Sequence, residues 1–499
     1  MIISHDLGTT GNKASLHRDD GRLVTSVTVS YSARFADNGV AEQNPDDWWR
    51  AVVEATRGLL ARSGTDPAQV TGLVVSGQMM SAVLLDAAYR PVRAALIWAD
   101  TRSTAQTEHL ERVIGQDRAY ALTGHRLNPT YSLEKIMWVR DNEPETFSRV
   151  RHFCLAKDFV VQRLTGRLVT DRSDASATNA YDQTRGEWST EMLEAAGLDA
   201  RLFPDILDAT AVVGTLTPEA ARETGLAVTT RVVLGGGDGP IAAVGAGIVA
   251  PEDGAYVCLG TSSWISFASA APVHDPLQRT MTFDHVVPGQ YVPTATMQAG
   301  GGALAWVSEL LHPQPSSTDL AALVSAASTA SASSSGLYFL PYLLGERSPY
   351  WNSDAAGSFI GINRHHGRAE MTRAVLEGVA FNLFTCLQAF RDSGSAIERV
   401  DAIGGGAASD AWLQILADVW GIPVRRRTIV EEANSLGAAV TAAVGLGLVD
   451  DFGAARGLSE VSAEFSPDRD RHAEYLDRHA VFVEGYECLQ PWFATRAGR

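Results

Sequence analysis

The chain opens on an apolar run, Ile2 to Asp6, that stops at Leu7-Gly8-Thr9-Thr10-Gly11. Lys13 to His17 resumes the run, and Asp19-Asp20-Gly21 is a tight-turn signal before Val24 to Tyr31. This pattern predicts a sheet meander. Pro45 then opens a helix, with Asp46 and Asp47 in its first turn and Val52, Ala55, Leu59 and Leu60 along its apolar face. Val70 to Ser76 reads as a buried strand that ends at Gly77-Gln78-Met79-Met80, and Ala82 to Leu85 as another strand. Strand-like and helical segments alternate for most of the length, which predicts an α/β architecture with helices covering sheets. Ser325 to Gly336, mostly Ser and Ala, is expected to be a surface loop or the weak end of a helix.

One five-residue turn recurs half a chain later. Asp6-Leu7-Gly8-Thr9-Thr10 returns as Cys258-Leu259-Gly260-Thr261-Ser262, each copy between two strand patterns. The spacing suits two similar lobes facing each other, with a charge at the first copy alone. Three more glycine turns follow strand patterns and precede helical ones: Gly235-Gly236-Gly237-Asp238-Gly239, Gly300-Gly301-Gly302 and Gly404-Gly405-Gly406. Such turns let a backbone approach a phosphate or a flat base closely. Close packing explains any single one, but the set predicts a nucleotide cleft.

Composition narrows the function classes. The chain has 499 residues, enough for two or three domains, and 45% hydrophobic with 20% charged residues is ordinary globular composition. A net charge of −17 argues against a nucleic-acid or anionic-membrane surface. The start, Met1 to Asp6, lacks the basic flank and apolar core of a signal peptide. The most lipid-like run, Leu436 to Val449, is 14 residues long, short of the roughly 20 a span needs, and is expected to be a buried helix. Cys154, Cys258, Cys386 and Cys488 lie far apart and suggest neither a zinc site nor a disulfide framework, so a reducing cytoplasm is the expected location.

Several motifs are decoys. Gly245-Ala246-Gly247-Ile248-Val249-Ala250 matches a dinucleotide fingerprint in letters but follows a helical pattern rather than a strand. No P-loop and no Gly-x-Ser-x-Gly elbow occurs. His365-His366 reads as a solvated turn. The chemistry that remains is phosphoryl transfer. Asp6, beside a Gly-Thr-Thr turn, suits a Mg²⁺ held through water. Lys13 suits a point charge near the transferred group. Asp238, alone among glycines, suits the carboxylate that takes a proton from an attacking hydroxyl, or else a helix N-cap.

Pieces along the whole chain resemble the FGGY family of carbohydrate kinases, within the actin, hexokinase and Hsp70 type of ATPase fold. They include Asp6 to Lys13, Ser76 to Met80, Trp98 to Arg102, Lys135 to Trp138, Gly235 to Asp238 and Gly260 to Ser262. Leu340 to Pro349, Gly357 to Ile362, Arg373 to Gly378 and Gly404 to Ala407 complete the set. Within the family the pattern is most similar to the xylulokinases. The resemblance implies two ribonuclease H-like lobes around a central cleft. Residues 1–245 would form the sugar-binding and catalytic lobe and residues 246–499 the ATP-binding lobe. It implies ATP and Mg²⁺, with Asp238 as base and Asp6 and Asp238 on the metal side. Thr10, Lys13, Gly260 and Thr261 would meet phosphates, and Gly301, Gly406 and Asp410 the adenosine. Met79, Met80, Asp100 and Arg102 would lie near the sugar or support its loop, and Asp238 would meet the reacting hydroxyl. A homodimer with no nucleic-acid or membrane partner is the expected assembly.

The chain departs from the xylulokinase pattern at two points. Gln-Met-His becomes Gln78-Met79-Met80, and Asp-Asn becomes Asp238-Gly239, so two polar sugar contacts are missing. Another ketose, a deoxy sugar or a polyol is therefore an alternative substrate. A non-kinase ATPase or a sugar sensor of the same fold is the other class of reading.

Overall fold

The computed structural model describes residues 1–36, 38–311, 317–428 and 432–497. Two sheets organise them. The first has the spatial order Val212–Thr215, Arg231–Val233, Gly72–Gly77, Ile2–Leu7, Gly11–His17, Leu23–Ser30. The second runs Met281–Asp284, Tyr291–Met297, Ser263–Phe267, Ala255–Leu259, Val400–Ile403, Val424–Arg427, Val461–Phe465. Read in opposite directions, the two share one plan. An antiparallel edge strand is followed by three parallel strands and then by antiparallel partners. The repeated Leu-Gly-Thr turn joins the same two strands of the plan in both sheets. Parallel strands are covered on both faces. Accordingly Ile2, Ile3, Leu73, Val74, Val232 and Val233 are all fully buried.

Two helices join the halves by exchange. Helix Asp238–Gly245 leaves the first sheet and packs Ala242 and Ala243 against Tyr256 and Ile403 of the second. Helix Ala433–Gly445 leaves the second sheet and packs Ala438 and Ala442 against Ile2, Val74 and Val233 of the first. The helices touch backbone to backbone. A Cβ on Gly245 would lie 1.8 Å from the Ala433 carbonyl oxygen, and one on Gly437 would lie 2.0 Å from that of Ile241. Gly245 thus belongs to a helix crossing, which accounts for the fingerprint-like letters around it. The second helix is also the expected buried one, starting three residues earlier than its apolar run. Ser325 proves to lie near the end of helix Ser317–Ser328, followed by a short turn at Ser333–Ser335.

Behind the first sheet's glycine turn lies a closed charge cluster. The Lys157 ammonium is 2.7 Å from Asp158, 3.1 Å from Asp171 and 3.5 Å from Asp174, and all four side chains are fully buried. Ser173 donates to Asp171 at 2.5 Å, and its oxygen accepts the Gly237 N–H at 3.0 Å. The cluster therefore anchors the turn that carries Asp238. Among the described residues, no helix is long and apolar enough to cross a membrane.

Candidate active site

The three parallel strands of the first sheet end on one edge. Leu7 pairs with Gly77, and Gly77 bridges to Gly237. The turns that follow these strands therefore meet, as they do wherever parallel strands share a carboxyl edge. This brings Asp6, Thr9, Met79, Met80 and Asp238 together.

Asp6 faces Lys13 across the strand pair, and the Lys13 ammonium lies 3.5 Å from Glu432 at the start of the exchanged helix. Burial pushes the Asp6 carboxyl up to about 6, while the Asn434 side chain and Lys13 hold it back. Asp238 goes further. Burial, and then the nearby Asp6 charge, push it up to about 7 against the pull of the Gly239 N–H, which donates to it at 2.8 Å. A carboxylate poised near neutrality is suited to accept a proton. Gly237, not Asp238, occupies the N-cap position of the helix, so the cap reading of Asp238 falls away.

Asp238 sits at the edge of a cavity of about 170 Å³. Drug-sized ligands need about 300–1,000 Å³, so this one suits a single monosaccharide. Both halves of the chain line it. Met79, Met80 and Trp98 come from the first half, and Trp264, Gln298 and Arg347 from the second. Met80 has a left-handed backbone, φ +61°. Its carbonyl accepts from the buried Lys135 ammonium at 2.8 Å, which also binds the carbonyls of Ile97 and Thr130. Lys135 thus fixes the loop that presents Met80. The Trp98 indole N–H donates to the Thr9 hydroxyl at 2.9 Å and so ties the cavity wall to the Gly-Thr-Thr turn.

Asp100 and Arg102 do not line the cavity, and of their two expected places, near the sugar or in support of its loop, the geometry fits the second. Asp100 is fully buried and accepts from the Ala41 N–H at 2.9 Å and from Arg102 at 2.7 Å. Arg102 also pairs with Glu42 and lies 4.3 Å from the centre of the Trp138 ring. Their polar valences are spent on each other, and they clamp the loop that carries Trp98.

On the other side of the cleft, the Gly260-Thr261 turn is stitched to the next glycine turn. The Gly301 N–H donates to Gly260 at 2.7 Å and the Gly302 N–H to Thr261 at 2.9 Å. A Cβ on Gly301 would come within 2.6 Å of the Gly260 carbonyl oxygen, so glycine is required there. Thr10 and Thr261 are both exposed at their turn tips. Beyond Gly301 opens a second cavity, of about 530 Å³, walled by Leu304, Val324, Gly405, Gly406 and Trp412. Asp410 is outside it. Its carboxylate is largely exposed and lies 2.5 Å from the Arg426 guanidinium, while its neighbours Ser409 and Trp412 face the cavity.

Residue-level reading missed several walls. Trp264, Gln298 and Arg347 reach the sugar-sized cavity from strands and loops distant in sequence. Arg347 lies inside the Leu340–Pro349 segment, which had carried resemblance but no role. Val324 and Ser325 turn the Ser/Ala-rich helix into a wall of the larger cavity.

Residues 1–245 match the N-terminal domain of the FGGY family of carbohydrate kinases, and residues 255–446 match its C-terminal domain. The xylulose kinase of Bacillus subtilis (strain 168) is 34% identical over 489 residues, which cover 98% of this chain and 95% of that protein. The gluconokinase of Bacillus licheniformis is 28% identical over 499 residues, covering 98% and 96%. The ligand-bound xylulose kinase from Lactobacillus acidophilus superposes with a TM-score of 0.92 at 27% identity over 99% of both chains. Two matching lobes, a cleft between paired Gly-Thr turns and full-length similarity agree: the chain belongs to the FGGY family of carbohydrate kinases, which transfer a phosphoryl group to a sugar hydroxyl.

Proposed function

We propose that this kinase phosphorylates a ketopentose such as D-xylulose, with Mg²⁺-ATP as donor. The observation that carries the reading is the placement of Asp238. It sits in a monosaccharide-sized cavity, within electrostatic reach of Asp6, between two Gly-Thr turns from opposite lobes. Similarity to xylulose kinases over nearly the whole length supports the choice of sugar.

In this reading the sugar hydroxyl lies against Asp238, which takes its proton as the bond to phosphorus forms. Thr10, Lys13, Gly260 and Thr261 hold the phosphates from both sides. Gly301 and Gly406 admit the adenosine into the larger cavity. Mg²⁺ prefers one or two carboxylates plus water and phosphate oxygens. The hard oxygens of Asp6 and Asp238 suit that donor set, and a cation held by them would relieve their mutual repulsion. When bound, the ion neutralises charge on the transferred group. ADP release with Mg²⁺, ATP and a panel of ketoses and polyols tests the reading. The expected result is a rate that requires sugar; ADP release indifferent to every sugar would overturn it.

Two further results are expected. Met80→His should raise kcat/KM for D-xylulose relative to the rest of the panel by about 1–3 kcal/mol, the worth of one good polar contact. The left-handed backbone at Met80 suits this change, because His is enriched in that region. An unchanged ratio would mean that the side chain only packs. Sugar plus a non-hydrolysable ATP analogue should also draw the lobes together and expel water. Small-angle scattering should then show a smaller radius of gyration, and no compaction with both ligands bound would count against closure.

A further inference from the structure

The sugar-sized cavity holds one charge that the reaction has not used. Arg347 is 9% exposed, and its Nη2 is enclosed without a hydrogen-bond partner. No carboxylate among the described residues forms an ion pair with its guanidinium, Asp238 included; its contact is with the Trp98 ring, whose centre is 5.2 Å away. The adjacent Glu346 attracts it electrostatically but makes no hydrogen bond to the guanidinium. One Glu346 oxygen accepts the N–H groups of Gln298 and Arg347, both at 2.8 Å, and the other accepts from Asn382 at 3.2 Å. Burial also pushes Glu346 up to about 8, while the Gln298 and Arg347 N–H groups and the Arg347 charge hold it back.

A guanidinium donates hydrogen bonds, accepts none and keeps its proton in proteins. An enclosed donor such as its Nη2, left without a partner, is costly. A ligand that supplies acceptors removes that cost. We infer that Arg347 grips the non-reacting end of the sugar and selects substrates with an acceptor-only oxygen there, either the ketone of an open-chain ketose or the carboxylate of an aldonic acid. The inference rests on the sugar-kinase reading of the cavity. A carboxylate meets the guanidinium fork with two oxygens, and a ketone offers two lone pairs on one oxygen. A polyol places a hydroxyl there, and the proton it brings needs its own acceptor. A ketopentose closed to a furanose has no carbonyl, so the same contact favours the open chain. Because Arg347 comes from the second half of the chain, the grip also joins both lobes to one sugar.

The test compares D-xylulose, D-xylonate and xylitol, which share configuration at C3 and C4. For any other best ketose of the panel, the corresponding trio is used. The wild-type enzyme should favour the ketose or the aldonate over the polyol by about 10–100-fold in kcat/KM, the worth of a hydrogen bond to a charged group. The preferred member of the pair identifies which oxygen is read. Arg347→Met should bring that ratio towards one while KM for ATP stays unchanged, and Arg347→Lys should keep part of it. Thermal melts confirm that each variant is folded, and if Arg347→Met is not, the wild-type ratio and the lysine variant decide. Equal use of xylitol by the wild type, or an unchanged ratio in the folded variants, overturns the inference and leaves the kinase reading standing. No sugar-dependent ADP release from any sugar overturns both.

Discussion

Asp238→Asn should lower kcat by about 10²–10⁴, the usual cost of losing a general base, while the protein stays folded. The substitution keeps the size of the side chain and an oxygen that can accept the Gly239 N–H. Among the described residues, it removes the one lining carboxylate that can take a proton from a hydroxyl in the cavity. Stability should hold or rise, because the substitution also relieves repulsion from Asp6 and the burden of burying a charge. A coupled ADP assay read beside a thermal melt checks both halves. A folded variant that phosphorylates sugar at close to the native rate would move the base elsewhere, and Asp6 would be the next carboxylate to test.

Lys157→Met should destabilise the protein by about 3–5 kcal/mol, as expected when one partner of a buried ion cluster is removed. Whole domains are held by about 5–15 kcal/mol, so such a loss approaches unfolding. Three carboxylates surround this ammonium with no exposure to water. Burial pushes Asp158 and Asp174 above their ordinary range even with the cation present, and Asp171 adds repulsion to both. Without the cation, the carboxyls must either repel or take up protons. The expected readout is a lower denaturant midpoint at pH 8, with part of the loss recovered at pH 5, where protonation is easier. Any enzyme that remains folded should also turn over more slowly, since Ser173 links the cluster to the Gly237 N–H beside Asp238. An unchanged midpoint would mean that the cluster holds the turn through hydrogen bonds alone.

What the sequence disclosed follows from how local its signals are. Strand periodicity, the Leu-Gly-Thr repeat and Asp238 among glycines are all written within a few residues, and they sufficed for two matching lobes and a carboxylate at the cleft. Asp100 and Arg102 look equally functional in a linear reading. Their partners, however, are Ala41 and Glu42, about 60 positions away, and that pairing turns both side chains from the cavity. Asp410 was misplaced for a related reason. Where the first residue of a helix points depends on its neighbours, and here Arg426 draws it outward. Arg347 and Trp264 stayed hidden because a cavity wall gathered from two sheets has no period along the chain. The exchange of helices between sheets left no local trace beyond small residues, which serve many other purposes.

The close contact between Gly245 and Gly437 leaves no slack between the two exchanged helices. Interlocked side chains can settle into a new arrangement when surfaces slide, and thereby store intermediate positions. Two peptide backbones pressed together have no such choice, since no rotamers exist to absorb a shift. If the lobes close on their ligands as expected above, this contact favours turning about the helix crossing over sliding along it. A single methyl group at either glycine would force the two helices apart, at a place that lines neither cavity.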